Sequence, residues 1–188
     1  QRSSILLFNP GESTHSSAID KFRLVPLGEY IPRLPLYINK GLSLVGGIYP
    51  GDESRLLELS DSSLAVAICY ELSDGNAIAK AISAGGKWIL TIANLDPYPL
   101  PLRRQFRSLA QLRSIETAKD LVSVTNTGPS VLISSSGDFS QEISSSKEDL
   151  TIFEVKTNSF ITRYVSWREI PLFIFILINF SLLFFVFN

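Results

Sequence analysis

Short apolar runs alternate with polar segments rich in glycine and proline along most of the chain. Such runs, bounded by turn residues, are typical of buried strands, whereas apolar positions every three or four residues among charges are typical of a helix. The pattern predicts strands at 4–8, 64–68, 88–93, 121–125, 130–133 and 150–155, and helices at 76–84 and 103–120. Proline, glycine and serine predict loops at 20–32, 96–101 and 134–147, and a loop or edge segment at 44–49. Alternating strands and helices indicate an α/β layer architecture.

The C-terminal segment differs from the rest, because 170–187 contains no charged residue. As a helix it would be roughly 27 Å long, close to the ~30 Å core of a bilayer. Tyr164 and Trp167 precede it, where an aromatic belt would lie. We expect a globular domain at 1–160 and a transmembrane helix at 168–188; the alternative is a buried helix or strand pair of a soluble protein. Arg163 and Arg168, taken alone, would place the globular part on the cytoplasmic side.

Composition narrows the function classes. The chain has 188 residues, 45% of them hydrophobic and 19% charged, which is enough for one folded domain. A net charge of −1 argues against nucleic-acid binding. One Cys and one His exclude an internal disulfide and make a Cys- or His-based metal site unexpected. Because the sequence holds no Met, we expect it to be a fragment or a processed product.

Cys69 is the first candidate for chemistry, because it follows a predicted buried strand and precedes a polar turn. A thiol at such a junction can lie at the end of a sheet, where a nucleophile is accessible. The alternative is a buried structural cysteine. Lys21 and Glu29 lie in a loop stiffened by two prolines, where a lysine could stabilise a thiolate or an oxyanion; the alternative is two surface charges.

Two further features carry weaker signals. His15 has no evident partner in the sequence, so a loop histidine is favoured over a general base. Arg103, Arg104 and Arg107 form a small basic cluster, interpreted as a solvated helix face or, alternatively, a contact for lipid headgroups.

Four sequence motifs resemble those of the apolipoprotein N-acyltransferases, a membrane-anchored branch of the nitrilase superfamily. Residues 21–32 read K-F-R-L-V-P-L-G-E-Y-I-P, similar to the family's K-x-x-L-V-P-F-G-E-Y-V-P. Residues 68–71 match its I-C-Y-E nucleophile motif, and 113–116 (R-S-I-E) resemble R-A-x-E. Residues 124–130 (V-T-N-T-G-P-S) are similar to its T-N-T-G-x-S segment.

The resemblance implies an α-β-β-α sandwich, incomplete at its N-terminus, with a Glu-Lys-Cys triad. Cys69 would be the nucleophile and Lys21 the triad lysine, supported by Glu29. Tyr70 and Glu71 would shape the substrate pocket beside the thiol. No metal or other cofactor is implied.

The chain departs from the family pattern at two kinds of position. The family's general-base glutamate lies upstream of the lysine in a W-P-E-like segment that this sequence lacks, so we expect a C-terminal fragment. Residues 94–98 (N-L-D-P-Y) replace the family's N-D-x-W-F-G, and 105–106 (Q-F) replace a Gln-His pair. These residues would border the substrate entrance and could change the substrate preference.

The activity implied is transfer of a fatty acyl chain from a phospholipid, through a Cys69 thioester, to the N-terminal amine of a diacylglyceryl-modified lipoprotein. We expect a monomer in the bacterial inner membrane, with the catalytic domain facing the periplasm and with no nucleic-acid partner. A membrane-anchored amidase of the nitrilase type and a non-catalytic module with the same fold are the alternatives.

Overall fold

The computed structural model describes residues 1–26, 28–30, 47–143 and 150–187, with side chains described as far as Leu183 in the last helix. Parts of the loops predicted at 20–32, 44–49 and 134–147 therefore lie outside the described residues.

Eight strands form two sheets in the described part of the chain. Strands β1 (Ser4–Leu7) and β2 (Ser17–Asp20) form an antiparallel pair. The second sheet has six strands in sequential order. They are β3 (Leu56–Glu58), β4 (Ser63–Ile68), β5 (Ile89–Ala93), β6 (Leu121–Thr125), β7 (Ser130–Ile133) and β8 (Phe139–Ile143). The central strands β4, β5 and β6 are parallel, whereas β3, β7 and β8 pair antiparallel with their neighbours.

The connections between the parallel strands contain the first two helices, as expected for β-α-β units. The helices are α1 (Gly75–Ser83), α2 (Leu100–Thr117), α3 (Arg163–Trp167) and α4 (Ile170–Phe187). Asp74 caps α1 by accepting a hydrogen bond from the Ala77 backbone N–H at 3.0 Å.

The alternation of side chains along β4 gives the large sheet two different apolar faces. Ala65 and Ala67 face α1, α2 and α3, and the small alanine side chains let the helices approach the sheet. Leu64, Val66 and Ile68 point to the other face, where they pack with residues of β1 and β2. The β1–β2 pair thus covers part of the face opposite the helices.

The predicted α/β architecture is confirmed, and so are both predicted helices and five of the six predicted strands, with small changes in their bounds. Strand β1 is present but half exposed rather than buried. The loop predicted at 96–101 is two residues shorter than expected. Helix α2 begins at Leu100 and includes Pro101, because proline is tolerated in the first turn of a helix.

Two predictions in the C-terminal third were wrong. The loop predicted at 134–147 contains β8, an edge strand whose exposed polar residues hide the strand pattern. The strand predicted at 150–155 is not formed, because residues 150–162 are irregular. Their backbone is held by side chains instead: the Lys156 N–H donates to the Asp120 carboxylate at 2.9 Å.

The uncharged segment 170–187 is helical, as α4, and its described side chains are exposed. Among the described residues, however, none of the helices has the length and apolar character needed to cross a membrane. The structure therefore does not support the transmembrane helix expected at 168–188.

Candidate active site

The three parallel strands all end at the same edge of the large sheet, and a polar residue follows each one. Cys69 follows β4, Asn94 follows β5 and Asn126 follows β6. Ligands of open α/β sheets bind at this carboxyl edge. A cavity of about 910 Å³ lies here, lined by Ser3, Lys21, Val25, Gly28, Glu29, Ile68, Cys69, Ile92, Ala93, Asn94, Pro97, Tyr98, Val124, Thr125 and Asn126.

Cys69 directly follows β4 and is the first residue of a short 3-10 helix, Cys69–Ser73. The chain makes a tight turn at this residue. Its φ of +52° is in the left-handed region, which costs a residue with a Cβ about 1–2 kcal/mol. The side chain is half-buried and lines the cavity. Such strained turns place a nucleophile at the end of a strand, where a substrate can reach it.

Lys21 directly follows β2 and enters the same cavity with Glu29. The Lys21 Nζ donates to Glu29 Oε1 at 2.7 Å and to Oε2 at 2.8 Å. Glu29 Oε2 also accepts the Val25 backbone N–H at 2.8 Å, which fixes the carboxylate on its own loop. The Lys21 side chain is only 1% exposed, so its charge acts in a medium that screens poorly.

Burial dominates the acid–base behaviour of the thiol and raises the pKa of Cys69. The Lys21 ammonium and the Tyr70 backbone N–H act in the opposite direction, while Glu29 and Glu71 add to the increase. The pKa of Tyr98 is also raised, first by burial and then by the charges of Cys69 and Glu29. The resting sulfur is therefore a thiol at neutral pH, and attack requires a base that removes its proton.

Glu71, predicted to shape the substrate pocket, has a buried carboxylate that binds protein groups. It accepts the backbone N–H of Phe22 at 2.7 Å, of Arg23 at 3.1 Å and of Ile68 at 2.9 Å. Arg55 Nη1 donates to both of its oxygens, at 3.0 and 3.1 Å. Glu71 is not among the described residues that line the cavity.

Tyr70, the other residue predicted to bind substrate, is 43% exposed and is not among the described residues that line the cavity of Cys69. It lines a second cavity of about 560 Å³ with Phe22, Arg23, Leu24, Pro26, Tyr30, Ile48 and Pro50. The Tyr70 side chain is thus separate from the larger cavity, although its backbone N–H donates a hydrogen bond to the Cys69 sulfur.

Another part of the cavity wall is the turn at 94–98, which side-chain hydrogen bonds hold in place. Asn126 accepts the Leu95 N–H at 2.9 Å and donates to Asn94 Oδ1 at 2.7 Å. Arg103 donates to the carbonyl oxygens of Tyr98 at 2.7 Å and Thr127 at 2.8 Å. This segment, where the sequence departs from N-D-x-W-F-G, does border the cavity.

The basic cluster on α2 is not a uniformly solvated face. Arg103 holds the turn at 94–98, and Arg107 pairs with Glu142 at 2.7 Å while its guanidinium lies 4.0 Å from the centre of the Phe139 ring. Arg104 is exposed. These contacts reduce the charge that the cluster could offer to a lipid headgroup.

Asn94 and Tyr98 belong to the segment 94–98 that is expected at the substrate entrance, and both line the cavity. Sequence reasoning gave no role to Asn126, although it follows a predicted parallel strand and could have been found on that ground. Nothing in the sequence singled out Arg55. His15, by contrast, lies away from the cavity, with its ring 6.4 Å from that of Phe8. In the described ranges, no group of three or more His, Cys, Asp or Glu side chains could hold a metal ion.

Comparison with known sequences finds close relatives over nearly the whole chain. The apolipoprotein N-acyltransferase of one strain of Prochlorococcus marinus is 56% identical over 172 residues, which are 92% of this chain and 35% of the relative. The enzyme of the same name from a second strain is 52% identical over 172 residues, 92% of this chain and 34% of that relative. The chain thus spans about a third of the length of these curated relatives. No protein-family model matches it.

Comparison with solved structures identifies the fold. Nit3 from Saccharomyces cerevisiae, a member of branch 10 of the nitrilase superfamily, superposes with a TM-score of 0.58 and 13% identity. The match covers 77% of this chain and 50% of the other. At this identity the likeness concerns the fold alone, and it confirms the nitrilase-type α/β sandwich that the motifs predict.

Proposed function

Because the chain is homologous over 92% of its length to part of the apolipoprotein N-acyltransferases, we propose that it carries the acyl-transfer site of such an enzyme. The observation that supports this most directly is the position of Cys69 on a strained turn, in one cavity with the Lys21–Glu29 ion pair. The donor would be a phospholipid and the acceptor the N-terminal amine of a diacylglyceryl-modified lipoprotein.

In the first half-reaction, the Cys69 sulfur attacks the ester carbonyl carbon of the phospholipid. The thiol proton passes to a general base, which the family resemblance assigns to a glutamate upstream of the lysine. The developing oxyanion is stabilised by the Lys21 ammonium and the Tyr70 backbone N–H. The C–O bond then breaks, the lysophospholipid oxygen takes the proton, and the acyl group remains as a Cys69 thioester.

In the second half-reaction, the α-amine of the acceptor attacks the thioester carbonyl. A C–N bond forms, the C–S bond breaks, and the amine proton returns to the sulfur through the same base. Glu29 takes no proton in this scheme: its carboxylate holds the ammonium of Lys21 in place through both steps.

The walls of the cavity suit an acyl chain. Its volume of about 910 Å³ lies near the upper end of the usual range for ligand pockets. Apolar side chains of Val25, Ile68, Ile92, Pro97 and Val124 line it, so an alkyl chain would displace water from an apolar surface. Polar groups of Asn94 and Asn126 lie at the strand ends, where the ester or the incoming amine would be.

The lipid nature of both substrates suits a location at a membrane. The described side chains of α4 are uncharged and exposed, including six large ones between 170 and 176. We place this helix in contact with lipid and, following the family resemblance, the catalytic domain on the periplasmic face of the bacterial inner membrane. The protein would act as a monomer.

A transfer assay tests this function. The full-length protein in detergent, given a phospholipid and a diacylglyceryl lipopeptide with a free N-terminal amine, should yield the N-acylated lipopeptide. Cys69→Ser should abolish the transfer, and Tyr49→Phe, a substitution at an exposed position outside the cavity, is the matched control. Unchanged transfer by Cys69→Ser contradicts the proposal. Release of ammonia from a small carboxamide supplied in a parallel assay, with no N-acylation of the lipopeptide, would favour the amidase instead.

A further inference from the structure

Near the site lies a buried ion pair, Arg55 and Glu71, that does not line the cavity. Arg55 and Glu71 are each 3% exposed. The two oxygens of Glu71 accept three backbone N–H groups and the Arg55 guanidinium. The remaining donors of Arg55 reach backbone carbonyls: Nε donates to Ser54 at 2.8 Å, and Nη2 donates to Asp20 at 2.8 Å and to Asp52 at 2.5 Å.

These bonds hold the chain on both sides of Lys21 and directly before Cys69. Arg55 binds the carbonyl of Asp20, the residue before Lys21, at 2.8 Å. Glu71 binds the amide of Phe22, the residue after Lys21, at 2.7 Å. The same carboxylate binds the amide of Ile68, the residue before Cys69, at 2.9 Å. One ion pair therefore connects the lysine loop to the cysteine turn.

A buried ion pair contributes little net stability, because removing both charges from water costs about as much as their attraction returns. Its other effect is geometric. The planar guanidinium offers five donors in fixed directions, and a carboxylate with all its acceptors used cannot rotate. Such a pair sets the separation of the segments it joins.

We propose that Arg55, acting through Glu71, is the positioning residue that holds the Lys21 ammonium against the Cys69 sulfur. This inference deepens the proposed function and rests on it. Arg55 touches neither substrate nor sulfur, so its effect passes through the backbone of the lysine loop. A residue with that role changes the reactivity of the thiol only as long as Lys21 is present.

Alkylation of Cys69 by iodoacetamide, followed by mass spectrometry of the peptide that contains it, measures this directly, without any acyl transfer. The rate follows the thiolate fraction, so a tenfold change corresponds to about one pKa unit of the thiol. In the full-length protein at pH 8, Arg55→Met should slow alkylation about tenfold, an effect similar to that of Lys21→Met. In the Lys21→Met background, Arg55→Met should change the rate by less than about twofold, because the charge it positions is absent.

The matched control is Arg113, a buried arginine that pairs with the partly exposed Glu116 at 2.6 Å in the helical layer. Arg113→Gln should lower the unfolding midpoint and leave the alkylation rate unchanged. Arg55→Lys, which keeps the charge but cannot reach the same acceptors, should slow alkylation by an intermediate factor and serves if Arg55→Met does not fold.

The two proposals fail in different ways. If Lys21→Met slows alkylation and both folded Arg55 variants react like the wild type, the positioning role is wrong while the proposed function stands. Equal slowing by Arg55→Met with and without Lys21 also overturns it. If Lys21→Met itself leaves the rate unchanged, the lysine does not act on the thiol, and the proposed chemistry of the site is wrong.

Discussion

Lys21 and Glu29 form a closed ion pair in the wall of the Cys69 cavity, with the ammonium within 2.8 Å of both carboxylate oxygens. The lysine is almost fully buried, whereas the side chain of Glu29 is 19% exposed. The carboxylate is also fixed by the Val25 N–H. The ammonium thus has a defined position in the cavity of the sulfur before any substrate binds, and this pre-organisation is what electrostatic stabilisation of an oxyanion requires.

Lys21→Met should reduce acyl-enzyme formation at least about 100-fold, the loss typical of removing one oxyanion donor. The variant should stay folded, because methionine fills a similar volume and Glu29 keeps its bond to the Val25 N–H. Rapid-quench measurement of the thioester, with circular dichroism as the check on folding, tests this. Turnover retained within about threefold would remove Lys21 from the site.

Glu29→Gln should lower the stability of the fold. It leaves the buried ammonium without its carboxylate, and breaking a buried pair costs about 3 kcal/mol. Denaturant unfolding of Glu29→Gln, of Lys21→Met and of the variant with both changes measures the interaction energy between the two side chains. If the double variant is as unstable as the sum of the two single losses, the side chains are not interacting.

The alkylation rate of Cys69 should keep rising with pH above 9, because burial holds the pKa of this thiol above its ordinary value of 9.0. Removing the cation in Lys21→Met should shift the profile to still higher pH, since a nearby positive charge favours the thiolate. A pH–rate profile with iodoacetamide tests both statements. A midpoint below the ordinary value would show that attraction to Lys21 outweighs burial.

Gly75→Ala should destabilise the helical layer by about 1–3 kcal/mol through overpacking. A Cβ at Gly75 would collide with the Arg113 guanidinium and the Tyr164 hydroxyl, which pack against the start of α1. Gly11→Ala is the comparison, because its Cβ would meet nothing within 4 Å and only its φ of +82° is unfavourable. A chemical denaturation curve for each variant measures the loss in the free energy of unfolding. Equal small losses in the two variants would contradict the prediction, because they would show that the helices can move apart to accept the new Cβ.

Lys119→Met should loosen the segment that leads to α3 and α4. The buried Lys119 Nζ donates to the Asn158 carbonyl at 2.8 Å and to the Asn158 Oδ1 and Phe160 carbonyl at 2.7 Å. Leaving these acceptors unsatisfied should cost about 1–3 kcal/mol and speed amide exchange in 156–162. Lys80→Met, which removes an exposed pair with Glu53, should cost less than about 1 kcal/mol. Unchanged exchange in Lys119→Met would contradict the anchoring role.

The sequence predicted the helices and strands whose apolar residues are buried in the core, because burial produces a regular spacing of apolar positions. Strand β4 and helix α1 face apolar surroundings along most of their length, so their periodicity is visible. Strand β8 is polar because it lies at an edge, and β3 has only three residues, too few for a pattern. The segment 150–162 is apolar enough to suggest a strand, but side chains such as Asp120 and Lys119 bind its backbone instead.

The residues of the candidate site that belong to sequence motifs could be predicted from the sequence. Cys69, Lys21 and Glu29 meet in one cavity, as the motifs suggested. Glu71 is part of the I-C-Y-E motif, but motif spacing does not reveal that its carboxylate faces Arg55 rather than the cavity. That partner is 16 residues earlier in the chain, and only the pairing of β3 with β4 brings it close.

The most direct test of the central claim is intact mass spectrometry of the full-length protein after incubation with a phospholipid donor in detergent. We predict a mass increase of one acyl chain on Cys69, absent in Cys69→Ser, and its disappearance when a lipopeptide with a free N-terminal amine is added. A folded protein that acquires no adduct, or an adduct that the amine does not remove, would contradict acyl transfer through this cysteine.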